Sequence, residues 1–249
     1  MNCRKVVVIG ALLLIGVLVL AGCGQRGPGY SISLAADLPI HVPTILVPVY
    51  VPYEPVYMPA FVPVFTMEPL PEDIIEFITG VSFRETAPFG FDFLTYLTIS
   101  FVDFDDNDRI GHMIVAYEIG AEVLDIFMEI YEARFPIYSI MLIDYFDADD
   151  DLSIAANNSS AFNFRYIAGT TRLSRHAYGM AIDINPIQNP YVRGDNVKPE
   201  AGREYLDRDN IRPGMIVPGD VVYTAFISRG WTWGGNWNTL SDFHHFERR

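Results

Sequence analysis

Cysteine is nearly absent from this 249-residue chain: Cys3 and Cys23 are the only two. No disulfide framework and no thiolate metal site can therefore be built in the body of the protein. Basic residues are also scarce. Lys and Arg number 17 against 31 Asp and Glu, for a net charge of −14. That balance excludes nucleic acid as a partner, because a phosphate backbone demands a basic footprint. Histidine is rare too, with five in all, yet three of them fall late in the chain, at His176, His244 and His245. Without disulfides the fold must stand on an apolar core, and roughly 170 residues suffice for one.

The one long uncharged apolar run spans residues 6–20, after Arg4 and Lys5 and before Ala21-Gly22-Cys23. It falls short of the ~20 residues that a spanning helix needs, and no basic stop-transfer cluster follows. Residues 1–22 therefore read as a secretory signal. Leu20-Ala21-Gly22-Cys23 resembles a bacterial lipobox, which implies lipidation at Cys23. The expected product is an exported lipoprotein, anchored in the membrane and facing the cell wall or periplasm. Residues 23–71 form a different kind of sequence, since ten of the 17 prolines lie between Pro28 and Pro71. Prolines at that density forbid a helix and cannot donate to a sheet ladder. An extended, polyproline-like spacer is expected, apolar enough to pack along the domain or along a partner.

Residues 72–249 read as an α+β domain. Ile74, Ile75 and Ile78 predict a short helix over 72–79, stopped by Gly80. Alternation predicts a strand over 93–104, a turn at Asp105-Asp106-Asn107-Asp108 and a return strand over 110–115. Residues 117–134 read as a helix with Val123, Leu124, Phe127, Met128 and Tyr131 on its apolar face. A strand over 138–143, an acidic loop over 144–160, an ordered stretch over 161–166 and a short helix over 220–228 complete the pattern. The expected architecture is a small antiparallel sheet covered by helices. Asp103-x-Asp105-x-Asn107 and Asp147-x-Asp149-x-Asp151 lack the glycine and glutamate of a calcium loop, and read as solvated turns.

The chemistry concentrates in two stretches. One runs Ser174-Arg175-His176-Ala177-Tyr178-Gly179-Met180-Ala181-Ile182-Asp183, the other Ser241-Asp242-Phe243-His244-His245-Phe246-Glu247. Two histidines and a carboxylate, split by a loop-rich insert, suit a catalytic zinc site with three N/O ligands and one open position. Asp183 lies in a run that reads as a buried strand, where a carboxylate requires a partner. On one unbroken strand His176 and Asp183 would face opposite sides; a turn at Tyr178-Gly179 can bring both to one centre. Asp242 and His245 have the same parity problem. Asp242 acts beside a metal only if it lies in the turn entering the final strand, and a plain turn or cap role fits it equally. On that geometry His244 points away from the metal. His41 and His112 read as surface or structural residues. Residues 188–217 read as a lid, a substrate wall or a surface loop. Trp231, Trp233 and Trp237 bracket Gly234-Gly235 in an expected hairpin, each as a core residue, with one able to line a pocket.

The order Ser-x-His-x-x-Gly-x-Ala-x-Asp, Trp-Gly-Gly-x-Trp, Asp-x-x-His-Phe-Glu resembles the VanY-type zinc D-alanyl-D-alanine carboxypeptidases. Their fold is shared with lysostaphin-type peptidases and the hedgehog amino-terminal domain. The resemblance extends upstream through Ile78-Thr79-Gly80-Val81-Ser82 and the run from Asn158 to Arg165. It implies zinc held by His176, Asp183 and His245, with Asp242 as the catalytic acidic residue. Many relatives have glutamate there, so the shorter aspartate needs to sit closer to the metal or work with a slightly shifted water. Arg165 matches an arginine that faces the substrate in relatives. The implied substrate is a peptidoglycan stem peptide ending in D-Ala-D-Ala. An L-alanyl-D-glutamate endopeptidase, a D-Ala-D-Ala dipeptidase and a non-catalytic wall-binding lipoprotein are the alternatives.

Overall fold

The computed structural model describes residues 60–249. The signal segment, Cys23, His41 and most of the proline-rich stretch lie outside the described residues.

Strands β1 (Phe65–Glu68), β2 (Leu94–Val102) and β3 (Asp108–Ala116) form one antiparallel sheet in that order. The β2–β3 register runs unbroken from Leu94↔Ala116 to Val102↔Asp108. Its turn satisfies itself: Asp103 Oδ1 accepts from the main-chain N–H of Asp105 and of Asn107, both at 2.9 Å. β1 comes from the stretch expected to be spacer, so the ordered fold begins before residue 72. Pro63 and Pro69 flank this edge strand without interrupting it, and the ladder loses no donor.

Helix α1 (Glu72–Ile78) lies between β1 and β2 in sequence, and α2 (Gly120–Glu132) packs against β2 and β1. α2 buries Val123, Ile126, Phe127 and Ile130, the i, i+3, i+4, i+7 stripe of a core-facing helix. The expected face was rotated from this one, since Met128 is 38% exposed. Pro136 follows, and the expected strand over 138–143 reduces to β4 (Ser139–Ile140), with a 3₁₀ turn over Ile143–Phe146.

The acidic stretch over 144–160 is structured and not an open loop. It holds α3 (Asp150–Ala155) and β5 (Asn158–Ser159), which pairs in parallel with β4. Its acids serve as helix-start chemistry: Asp149 caps α3 by accepting from Leu152 N–H at 3.1 Å, and Asp150 and Asp151 occupy the first turn, favourable at a helix amino terminus.

Two further small sheets carry the carboxy-terminal part. β6 (Ala181–Asp183), β11 (His245–Glu247) and β9 (Thr232–Trp233) form one, in the order β6-β11-β9. β10 (Ser241–Asp242), β7 (Tyr191–Arg193) and β8 (Asn196–Lys198) form the other, in the order β10-β7-β8. Helix α4 (Val221–Ile227) is capped by Asp220, and its Phe226 stacks on Phe246 with ring centroids 4.2 Å apart. Phe127, Phe226 and Phe246 belong to one continuous core, each contributing about 1.5–3 kcal/mol by burial. That core joins α2 and α4 to the back of β11, so the strand carrying His245 rests on packed aromatic rings. No described helix is long and apolar enough to cross a membrane.

Candidate metal centre

Three short segments converge on one point, and each has a local reason to do so. Ser174 caps the 3₁₀ turn Arg175–Tyr178, accepting from His176 N–H at 3.3 Å. Gly179 then adopts φ +61 and reverses the chain into β6. A Cβ on it would stand 2.5 Å from Ala116 N and 2.8 Å from Val115 C, so glycine is required by both torsion and space. This turn brings His176 and Asp183 to the same side, as their opposite parity demands. The third residue arrives by pairing, because the β11–β6 register sets His245 opposite Asp183.

One side chain atom of each, His176 Nε2, His245 Nδ1 and an Asp183 oxygen, faces the shared centre. The separations are 3.2 Å from His176 Nε2 to Asp183 Oδ2, 3.0 Å from His245 Nδ1 to Asp183 Oδ1, and 3.2 Å from ring to ring. Tetrahedral zinc at ~2.0–2.1 Å from nitrogen would space its ligands at roughly 3.3 Å. The donors therefore fit such an ion with small adjustments. All three residues are buried.

The outer partners fix which ring atom is offered. His176 Nδ1 lies 2.5 Å from Ala161 O. A carbonyl only accepts, so Nδ1 carries the proton and Nε2 keeps its lone pair for the centre. His245 Nε2 lies 3.4 Å from Glu247 Oε2, which leaves Nδ1 facing inward. Glu247 was missed as a site residue from the sequence. Its signal was available: two residues beyond His245 on one strand means the same face.

The electrostatics favour a cation. Burial alone would raise the Asp183 carboxyl, but His176, His244 and His245 outweigh it and hold it well below the usual carboxylate range. Burial would likewise depress His245, yet hydrogen bonds to Asp183 and Glu247 push it up to about 10. The hydrogen bond to His245 lowers Glu247 in turn. A cage that binds protons this firmly offers the same attraction to a metal ion.

Asp242 lies at the end of β10, a two-residue strand, not within the turn itself. Its main chain rests on the Trp-Gly-Gly segment: a Cβ on Gly234 would come within 2.5 Å of Asp242 O and 2.8 Å of Asp242 Cβ. That segment is β9 followed by a 3₁₀ turn over Gly234–Asn236, where a hairpin was expected. The glycine is there to let the two chains touch. Asp242 opens onto the same cleft as the cage, a cavity of about 880 Å³.

His244 also lines this cleft but is not part of the His176–Asp183–His245 group. Its Nε2 is 2.9 Å from Asp242 Oδ1, a charge contact off the line of a good hydrogen bond, and its Nδ1 is 2.7 Å from Asn189 O. Burial would depress it, but the charges of Asp242 and Asp183 push it up to about 9. Trp231 and Trp233 are core, donating to Glu122 Oε1 and Phe243 O. Trp237 is not core: it is 36% exposed and its ring centroid is 5.4 Å from that of His245.

Arg165 lines the cleft and is ion-paired with Asp150. Within residues 188–217 the β7–β8 hairpin is the part that walls the cleft, through Tyr191, Arg193, Asn196 and Lys198. His112 stacks on Tyr96 in the first sheet and takes no part in the site.

A buried His-Asp-His set with one fixed tautomer, beside a second carboxylate in an open cleft, is a donor set of the kind that metal-dependent hydrolases use. Comparison with protein families finds a similarity. Residues 168–248, about a third of the chain, match the family model described as D-alanyl-D-alanine carboxypeptidase, a VanY-like M15 peptidase family. The match takes in all three cage residues and Asp242, and M15 peptidases are metallopeptidases. The α+β architecture agrees with that family's fold. No curated protein and no solved structure matches the chain.

Proposed function

We propose that the chain is a zinc-dependent D-alanyl-D-alanine carboxypeptidase that trims peptidoglycan stem peptides. The observation that carries the reading is the buried His176–Asp183–His245 cage with Asp242 facing the same cleft. Zinc held by those three side chains would supply Lewis acidity and make a water molecule more acidic. Asp242 then takes the water's proton as general base and delivers it to the leaving amine. A module that only bound the wall would have no use for that carboxylate.

The cleft is richer in basic side chains than the chain as a whole. It gathers five of the chain's 17 basic side chains, Arg165, Arg172, Arg175, Arg193 and Lys198, but six of its 31 acidic ones. Arg165 is taken by Asp150 and Lys198 by Asp151. Among the described residues, Arg172 and Arg193 have no carboxylate partner, whereas Arg175 spends its fork of donors on Arg248 O. Arginine is suited to a peptide carboxylate through its fork of donors.

The size of the cleft, and the engagement of Arg165 by Asp150, favour a second reading. At about 880 Å³ the cleft can hold peptide on both sides of the cut bond, as an L-alanyl-D-glutamate endopeptidase requires. We also infer, from the sequence alone, export and lipid anchoring at Cys23.

Mass spectrometry of defined muropeptides, with and without a chelator, tests these readings. Loss of one terminal alanine, abolished by prior chelation and restored by zinc, is the expected result. An internal cut would move the assignment to the endopeptidase. Unchanged substrate with zinc-loaded protein would sink the peptidase reading.

A further inference from the structure

We propose that His244 is a positioning residue that fixes the carboxylate of Asp242, and this rests on Asp242 being the base. The main chain of Asp242 is already held by its pairing with Tyr191 and by contact with Gly234. The carboxylate is left free to rotate. Among the described residues, Oδ1 is buried with no aligned hydrogen-bond donor, and its nearest polar contact is His244 Nε2 at 2.9 Å.

His244 is itself immobile. It is 3% exposed, and its main-chain carbonyl accepts from Ile184 N–H at 3.0 Å. Its Nδ1 lies 2.7 Å from Asn189 O. Asn189 is fully buried and locked from several sides. Its Nδ2 donates to Gly214 O at 2.9 Å, and its Oδ1 accepts from Ile216 N–H at 2.7 Å and from Arg208 at 3.1 Å. The guanidinium of Arg208 also lies over the Phe243 ring, 4.4 Å from its centroid. The insert thus reaches the base through Asn189 and His244. With Nδ1 on Asn189 and Nε2 on Asp242, neither ring nitrogen of His244 is left for the cage, which explains how two adjacent histidines take different roles.

A base held at the wrong angle loses proton transfer without losing substrate. Replacing His244→Leu should lower kcat by up to about 100-fold, the cost of a small misplacement at a reacting centre. KM and bound zinc per chain should stay at the wild-type level. His244→Gln keeps a donor near the carboxylate and should recover part of the loss. In the Asp242→Ala background, His244→Leu should add nothing, because His244 acts only through Asp242. Losses that multiply in the double variant, or full kcat in His244→Leu, overturn the proposal. Crystal structures of wild type and His244→Leu, or His244→Gln if leucine prevents folding, give a readout independent of activity. A rotated Asp242 carboxylate on an unmoved β10 is expected, and an unmoved carboxylate refutes the idea. An inactive wild-type protein would defeat the peptidase reading, while the structures would still decide the positioning role.

Discussion

The sheet β1–β3 with α2, and the site region after residue 157, hold themselves together by different means. The first uses nine-residue strands and a 13-residue helix whose apolar stripes face each other. It contributes no residue to the cleft. The second is assembled from strands of two or three residues. Buried polar groups take over much of the work there, with Asn158, Asn185 and Asn189 each bonding to main chain that a regular ladder would have satisfied. Apolar burial is graded and forgiving, whereas a buried polar network is satisfied or costly. Substitutions in the first region should therefore lower stability by degrees, and those in the second should switch off a specific property.

The largest effect is expected at the cage. His245→Ala should reduce bound metal from one ion per chain to none, as read by elemental analysis, and abolish cleavage. Proton competition sharpens this. The His245 pKa is pushed up to about 10 from an ordinary 6.5, burial being outweighed by Asp183 and Glu247. A metal entering at neutral pH must therefore displace a proton that the cage holds until the pH passes that raised value. Metal affinity should rise between about pH 6 and about pH 8 with net proton release. Calorimetry in buffers of different ionisation heat measures that release, and affinity independent of pH would contradict the assignment.

Asp242→Ala comes next. It should leave metal content intact and cut kcat by about 10²–10⁴-fold, the usual contribution of a general base. Near wild-type turnover of a muropeptide would remove Asp242 from that role.

Ile126→Ala tests the other side of the contrast. Ile126 is fully buried on α2, and the truncation should cost about 2–5 kcal/mol in chemical denaturation. Below the lowered melting temperature, metal content and kcat should equal those of the wild type. A parallel loss of metal affinity would show that the two regions are coupled through the core, and the distinction drawn above would fail.

The same division explains what was legible in the sequence. Alternation over 94–116 and the α2 repeat are long enough for periodicity to speak, so β2, β3 and α2 could be read to within three residues at each end. The rotated face of α2 was not, because Met128 and Ile130 are equally apolar in composition and only packing separates them. α3 and β5 were lost since six- and two-residue elements carry no period, and their acids look like a solvated loop until Asp149 is seen as a cap. At the site, the parity argument for Gly179 succeeded because a two-residue repeat leaves no other route to one centre. For Asp242 the same argument needed only a break in the strand, which left its place open until β10 was seen. The contacts of His244 could not be read because its partner Asn189 comes from the insert, and no local pattern relates the insert to the last strand; Trp237 is the tryptophan that lines the cleft.

The smallest expected effects lie on the cleft's rim, where Arg172 and Arg193 are exposed and lack ion-pair partners among the described residues. If they hold carboxylates of an acidic peptide, removing either should raise KM with kcat unchanged. Exposed charge pairs are worth about 0.2–1 kcal/mol, so each alanine variant should shift KM by roughly two- to fivefold. Salt should shrink the difference, since such contacts are screened beyond ~8–10 Å at ordinary ionic strength. Arg165→Ala provides the internal control. Its guanidinium is already committed to Asp150, so its loss should free that carboxylate in the cleft and weaken binding of an acidic peptide by repulsion as well. Amidating the substrate's carboxylates tests whether charge is read: the penalties at Arg172 and Arg193 should vanish with an amidated peptide. Penalties that persist would mean that these arginines shape the wall without recognising charge.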